Sequence, residues 1–143
     1  MGALHYYGNG NIAVVGDTAT WVYDPDEDKA QIVSYEDAGL LGYAFSERGL
    51  ALVTRGYGES GGGTVTVVNT AGKVVRTLPF ESDFRHVAAA DSGFYLLLSD
   101  KLHLLDTGGI AKTAAAPADG LQVVELNGRP LMQRLLPSSQ VRC

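Results

Sequence analysis

Cysteine is almost absent from this 143-residue chain: Cys143, the last residue, is the only one. That excludes an intramolecular disulfide and a cysteine-based metal site. An unpaired thiol is compatible with the cytoplasm or with an outer compartment where disulfides are not used. Positive charge is scarce as well. The chain has 11 Lys and Arg against 16 Asp and Glu, for a formal net charge of -5, and the basic residues are scattered. A nucleic-acid binder needs clustered positive charge to displace counterions from phosphates, so DNA and RNA are excluded as main partners. Long apolar runs are missing too. None approaches the roughly 18–20 residues that carry a helix across a bilayer, so no membrane span is expected within the chain. Helical periodicity is equally rare.

Glycine, by contrast, is abundant, at 18 residues, against a usual ~7 % of a chain, which favours many tight turns. Hydrophobic content is 45 % and charged content 19 %, the balance of a globular chain rather than a disordered one. The length suits a single domain, residues 1–143. Apolar residues come in short runs rich in Val, Leu, Tyr and Thr, separated by Gly, Asp, Asn and Pro. That is the pattern of strands and turns.

These runs repeat. The first unit holds ALHYY, NIAVVG, ATWVYD and AQIVSYE; the second holds LLGYAFS, LALVTRG, TVTVVN and VVRTLPFE. The third holds RHVAAAD, FYLLLSD, KLHLLDT and AKTAAA, and a fourth begins with LQVVELN and PLMQRLL and stops after SSQVRC. The units span about 3–37, 40–82, 85–117 and 121–143. In the first three, the third run ends on an apolar residue and a short polar one: Tyr23–Asp24, Val68–Asn69 and Leu105–Asp106. Asp and Asn suit a turn there because their side chains bond nearby backbone. The glycines Gly10, Gly49, Gly93 and Gly128 recur every 35–44 residues, a period that predicts stacked four-stranded units.

One stretch, GYGESGGG (Gly56–Gly63), opens with the spacing G-x-G-x-x-G. A phosphate-binding loop of that kind leads into a helix whose N-terminal amides face the phosphate. Here it leads into TVTVVN, a β-branched run, and Thr64 stands where a P-loop needs Lys. The corresponding junctions of the first and third units hold only GDT and SDK. The stretch is therefore read as a long, solvated β-hairpin loop.

Other candidate chemistry is thin. Asp24, Asp26 and Asp28 alternate like the start of a calcium loop, but Lys29 and Tyr35 stand at its glycine and glutamate positions. An acidic hairpin turn is the better reading. His5, His86 and His103 fall in different units without metal-ligand spacing. Ser60 has the spacing G-x-S-x-G (Gly58–Gly62), but the β-branched run TVTVVN follows it where a nucleophile elbow needs a helix, so no elbow is assigned. Glu36, Asp37, Glu81 and Asp83 lie at unit ends that a fold could bring together, and their spacing selects no pair. Trp21, the only tryptophan, is expected to anchor a core.

GNIAVVGDTATWVYDPD and SGFYLLLSDKLHLLDTGG are the clearest copies of the repeat. In them the chain resembles β-propeller repeats of the WD-repeat and quinoprotein-like kind. It lacks the Gly-His and Trp-Asp marks of WD repeats and a consistent quinoprotein tryptophan motif. It is also similar to an uncharacterised propeller family of Gram-positive bacteria, in which a membrane anchor precedes an extracytoplasmic propeller. This resemblance implies an extracytoplasmic site rather than a cytoplasmic one, and it supplies no catalytic residues.

The expected fold is all-β: a propeller-like array of four-stranded antiparallel meander blades, three full and a partial fourth. A partial array leaves open blade edges and apolar flanks, which predicts a protein partner, completion as a homodimer, or a place as the C-terminal part of a larger propeller. The expected function is a non-enzymatic binding or scaffolding module, with no cofactor, metal or catalytic residue assigned. Its candidate contacts are the exposed loop residues Tyr57, Glu59, Ser60, Asp26, Glu27 and Asp28. The alternatives are a carbohydrate-acting hydrolase or lyase with a site at the propeller channel, and a purely structural fragment.

Overall fold

Strand formation follows from the short apolar runs. β-branched and aromatic residues suit a pleated, half-buried surface, and successive side chains point to opposite faces. The computed structural model describes residues 2–106, 109–116, 120–126 and 129–134, and among these it contains strands, turns and connections but no helix. The first sheet comprises β1 (Ala3–Tyr6), β2 (Ile12–Val15), β3 (Ala19–Asp24) and β4 (Lys29–Ser34). The second comprises β5 (Ala38–Ser46), β6 (Gly49–Gly56), β7 (Gly63–Val68) and β8 (Val74–Phe80). The third comprises β9 (Phe84–Ala89), β10 (Phe94–Leu98), β11 (Lys101–Asp106) and β12 (Gly109–Ala115). A two-stranded fourth sheet pairs β13 (Gly120–Leu126) with β14 (Arg129–Arg134). Each pairing is antiparallel and joins strands adjacent in sequence. The chain is all-β, built from successive meanders.

Each sheet packs face to face on the next, through a separate apolar cluster. Ala13, Val15, Val22 and Tyr35 of the first sheet and its connection meet Leu50, Leu52 and Val68 of the second. On the second sheet's opposite face, Ala51, Val53, Val65 and Val67 meet Val87, Phe94, Leu96 and Leu105 of the third. Beyond it, Tyr95, Leu97 and Leu102 of the third meet Val123 of the fourth. We call the face a sheet turns to its predecessor its leading face, and the opposite one its trailing face.

This arrangement explains the run compositions. β10, FYLLL, is buried at every residue because both faces of its sheet are covered. β2, IAVV, alternates partly exposed and buried residues because only the trailing face of the first sheet is covered. Each fully buried Leu or Val contributes roughly 1.5–3 kcal/mol, so the two middle sheets carry much of the apolar stabilisation.

Three sequence expectations change. Trp21 anchors no core: it is 45 % exposed on the leading face of the first sheet. Gly10 is not the counterpart of Gly49 and Gly93. Those two precede Leu50 and Phe94, which pair with Val68 and Leu105, and the matching pair Ile12–Tyr23 puts Asn11 at that position. The cause is turn length, since residues 8–10 turn between Tyr7 and Asn11 whereas 91–92 suffice between Ala90 and Gly93. Finally, the ends of GYGESGGG are strand: Gly56 closes β6 and Gly63 opens β7, leaving 57–62 as loop. Gly128 and the stretch 138–143 lie outside the described residues.

Candidate functional site

The meander topology sorts the loops onto two edges. The β1–β2, β3–β4, β5–β6 and β7–β8 turns lie on one, the hairpin edge. The β2–β3 and β6–β7 loops lie on the other, together with the connections from sheet to sheet, and this is the connector edge. The sequence-predicted contacts are therefore split. Asp26, Glu27 and Asp28 sit on the hairpin edge, and Tyr57, Glu59 and Ser60 on the connector edge.

At the hairpin edge, DPDEDK organises itself. Asp24 Oδ1 accepts the backbone N–H groups of Asp26 at 3.0 Å and Glu27 at 3.3 Å, an Asx turn. Asp28 adopts left-handed backbone, φ 53°, and its Oδ1 accepts the Tyr23 hydroxyl at 2.6 Å. That bond holds the Tyr23 phenol above its usual pKa. Asn69 plays the Asp24 part in the second sheet, its Oδ1 accepting from the amides of Ala71 and Lys73 at 3.0 Å each. Among the described residues, no group of three or more His, Asp or Glu is placed to hold a metal ion.

The connector edge is more unusual. Glu36 and Asp37, which link the first sheet to the second, both have left-handed backbone, with φ of 49° and 59°. Non-glycine residues in that region cost of order 1–3 kcal/mol each. The strained link is held in place: the Tyr57 N–H donates to Asp37 O at 3.1 Å, and the Tyr35 N–H donates to Thr18 O at 3.2 Å. Within the loop, the Glu59 N–H donates to Gly56 O at 3.1 Å. Gly58, Gly61 and Gly62 take φ of 83°, 72° and 67°, so the glycines are required by the path itself. The loop's return leg lies tightly on β8, since a Cβ at Gly62 would come within 2.7 Å of Phe80 O. The Tyr57 ring rests on bare backbone, its Cε1 3.3 Å from the place a Gly39 Cβ would occupy, yet the residue is 67 % exposed. Glu59 and Ser60 are exposed beside it. The stretch is the exposed β-hairpin loop that the sequence suggests, joining β6 to β7, and it is also anchored at its ends.

Below this edge, a cleft of about 310 Å³ opens between β4 of the first sheet and β6–β8 of the second. Ser34, Glu36, Thr54, Thr64, Thr66 and Thr77 give it a hydroxyl-rich lining. Thr54 pairs with Thr64, and Thr66 with Thr77, across neighbouring strands. Sequence reasoning missed this ladder, although the alternating Thr64 and Thr66 of TVTVVN placed two hydroxyls on one face. Glu81 and Asp83 occupy the next connection along the same edge, where the Ser99 N–H donates to Asp83 O at 2.8 Å.

The histidines are separate. His5 shares a 2.8 Å hydrogen bond with Tyr43 Oη and stacks on Phe45 at 4.5 Å between ring centroids. His86 Nδ1 accepts the Val123 N–H, and His103 Nδ1 meets Thr113 Oγ1 at 2.8 Å. The first two tie one sheet to the next.

Fold and site together define an all-β protein of face-packed antiparallel meanders, with one enlarged, anchored loop on the connector edge among the described residues. In comparison with known proteins, no protein-family model and no curated protein matches the chain.

Proposed function

We propose that the chain is a non-enzymatic protein-binding and scaffolding module of the β-propeller type, with the loop 57–62 as its contact surface. The propeller reading is supported by the way first strands gather: β9 lies against β5 on one side and against β13 on the other. Meanders that fan outward from such a line of first strands are blades.

The observation that carries the binding reading is the anchored, exposed Tyr57. Its backbone N–H donates to Asp37 O at 3.1 Å, and the residue is 67 % exposed. An aromatic fixed in this way presents a large amphipathic surface at little cost in conformational entropy. Loops on rigid scaffolds are where recognition is usually carried.

The test is affinity capture by the wild-type chain, by Tyr57→Ala, and by a variant whose loop 57–62 is replaced with the short Ser-Asp turn of the third sheet. Thermal melts confirm that each variant is folded. A protein retained by the wild type should bind both variants at least tenfold more weakly in titration calorimetry. Equal binding by all three would overturn the proposal.

A further inference from the structure

Among the described residues, every interface between sheets joins a trailing face to a leading face, and one face of each kind is left exposed. On the leading face of the first sheet, Leu4 is 53 % exposed, Tyr6 66 %, Trp21 45 % and Ile32 64 %. These are not scattered residues. Leu4 pairs with Val14, Val14 with Trp21, and Trp21 with Ile32, so they form one apolar row across all four strands. Tyr6 lies on the same face of β1, next to that row. In the second and third sheets the matching positions are buried against the preceding sheet: Leu52 is 1 % exposed and Leu96 also 1 %.

The other uncovered face is the trailing face of the fourth sheet. Val124 and Leu131 pair with each other there, 39 % and 49 % exposed. Their partners on the leading face, Val123 and Met132, pack on the third sheet. The second strands of the first three sheets bury the equivalent trailing residues, Ala13 at 0 %, Ala51 at 0 % and Tyr95 at 4 %. The molecule thus repeats one type of contact between successive sheets and leaves its two complementary halves exposed at opposite ends.

We propose that two copies of this chain associate head to tail, the leading face of one copy's first sheet packing on the trailing face of the other's fourth sheet. A second copy is the occupant the structure specifies, because the complement of the Leu4–Trp21 row is a trailing face of this same series, and Val124–Leu131 is such a face. Different patches meet, and the pair closes by forming the same contact twice around a two-fold axis, so the interface as a whole is isologous. It continues the interfaces already present between the sheets, so it needs no new packing geometry.

Sedimentation equilibrium over a wide concentration range tests this, on the wild type and on two variants with charges at exposed positions. The first carries Leu4→Glu and Tyr6→Glu; the second carries Leu131→Glu, with Val124→Lys as a substitute if that chain folds poorly. The wild type should show twice the chain mass, and its single tryptophan should shift to longer wavelength on dilution as Trp21 is released to water. Each variant alone should be monomeric with an unchanged circular dichroism spectrum. Mixed in equal amounts, the two variants should associate, because each retains the half that the other has lost. A wild-type monomer at all concentrations, a dimer indifferent to the fourth-sheet substitution, or a mixture that stays monomeric would each overturn the proposal.

Discussion

The backbone amide of Val123 donates to His86 Nδ1 across 3.1 Å, joining the fourth sheet to the third. Only an unprotonated Nδ1 can accept that bond. Burial lowers the His86 pKa below the ordinary 6.5. A histidine with a depressed folded-state pKa contributes stability that is fully present above about pH 6.5 and is lost as pH falls through the lowered value, because the unfolded chain takes up the proton first. The protection factor of the Val123 amide against hydrogen exchange, taken relative to its intrinsic rate at each pH, should therefore be high at pH 7.5 and fall as pH drops below 6.5 through the lowered value. In His86→Leu it should be low at both. His103 is shifted in the same direction, also chiefly by burial, so the local amide is the readout rather than a global melt. Protection at Val123 that ignores pH would show that the bond does not hold the seam.

Glycine substitutions should rank by what a side chain would meet. A Cβ at Gly93 would overlap the Leu105 carbonyl oxygen, and one at Gly49 would overlap that of Val68. Gly49 also has φ 147°. At Gly10, φ is 93° but nothing lies within 4 Å of the added carbon. Overpacking costs about 1–3 kcal/mol or more, and left-handed backbone about 1–2 kcal/mol. Chemical denaturation should therefore order the alanine variants Gly49→Ala, Gly93→Ala, Gly10→Ala, from most to least destabilised. Gly93 lacks the positive φ of Gly10 and Gly49, so a Gly93→Ala loss smaller than that of Gly10→Ala would show that backbone conformation, and not the overlap, sets the effect.

The same positions mark how far the sequence could be read. The repeat and strand order were legible because alternation and turn residues are local signals: NIAVVG and FYLLLSD predict β2 and β10 to within a residue or two. Side-chain direction at an outer sheet was not. Trp21 faces outward because nothing covers the leading face of the first sheet, and coverage depends on the neighbouring sheet rather than on ATWVYD itself. Gly10 misled for a related reason, since an added turn residue shifts the glycine without shifting the strand pairing. At the candidate site, the long loop could be seen in the glycines. Its anchoring could not, because the acceptor for Tyr57 is the carbonyl of Asp37, in a different unit of the repeat.

Thr20 Oγ1 and Tyr35 Oη lie 2.6 Å apart in the buried seam beside the first connection. The phenol donates to Gly16 O at 2.9 Å, so its one proton is committed and the threonine is the donor between the two. Burial, with Asp17 nearby, raises the Tyr35 pKa. Tyr35→Phe leaves both the threonine hydroxyl and the Gly16 carbonyl without this partner, at a cost of about 1–3 kcal/mol. Thr20→Val leaves the Tyr35–Gly16 bond intact and should cost less. The double variant should be less destabilised than the sum of the singles, since the second change removes a group already orphaned. Strict additivity would mean that the two hydroxyls are not coupled.

Tyr7 gives the opposite expectation. It is 4 % exposed, with its ring stacked on Phe45 at 4.9 Å between centroids. Among the described residues its hydroxyl finds no hydrogen-bond partner, and burial pushes its pKa up to about 12. A buried hydroxyl without a partner carries a desolvation penalty of about 1–3 kcal/mol. Tyr7→Phe keeps the ring and removes the penalty, so it should raise stability by roughly 1 kcal/mol and the melting temperature by a few degrees. The sign of its pH dependence is also fixed. The unfolded tyrosine ionises near 10 and the folded one near 12, so the wild type loses stability as pH rises through that window, and Tyr7→Phe should lose less. A variant less stable than the wild type at neutral pH would mean that the hydroxyl is hydrogen-bonded in solution.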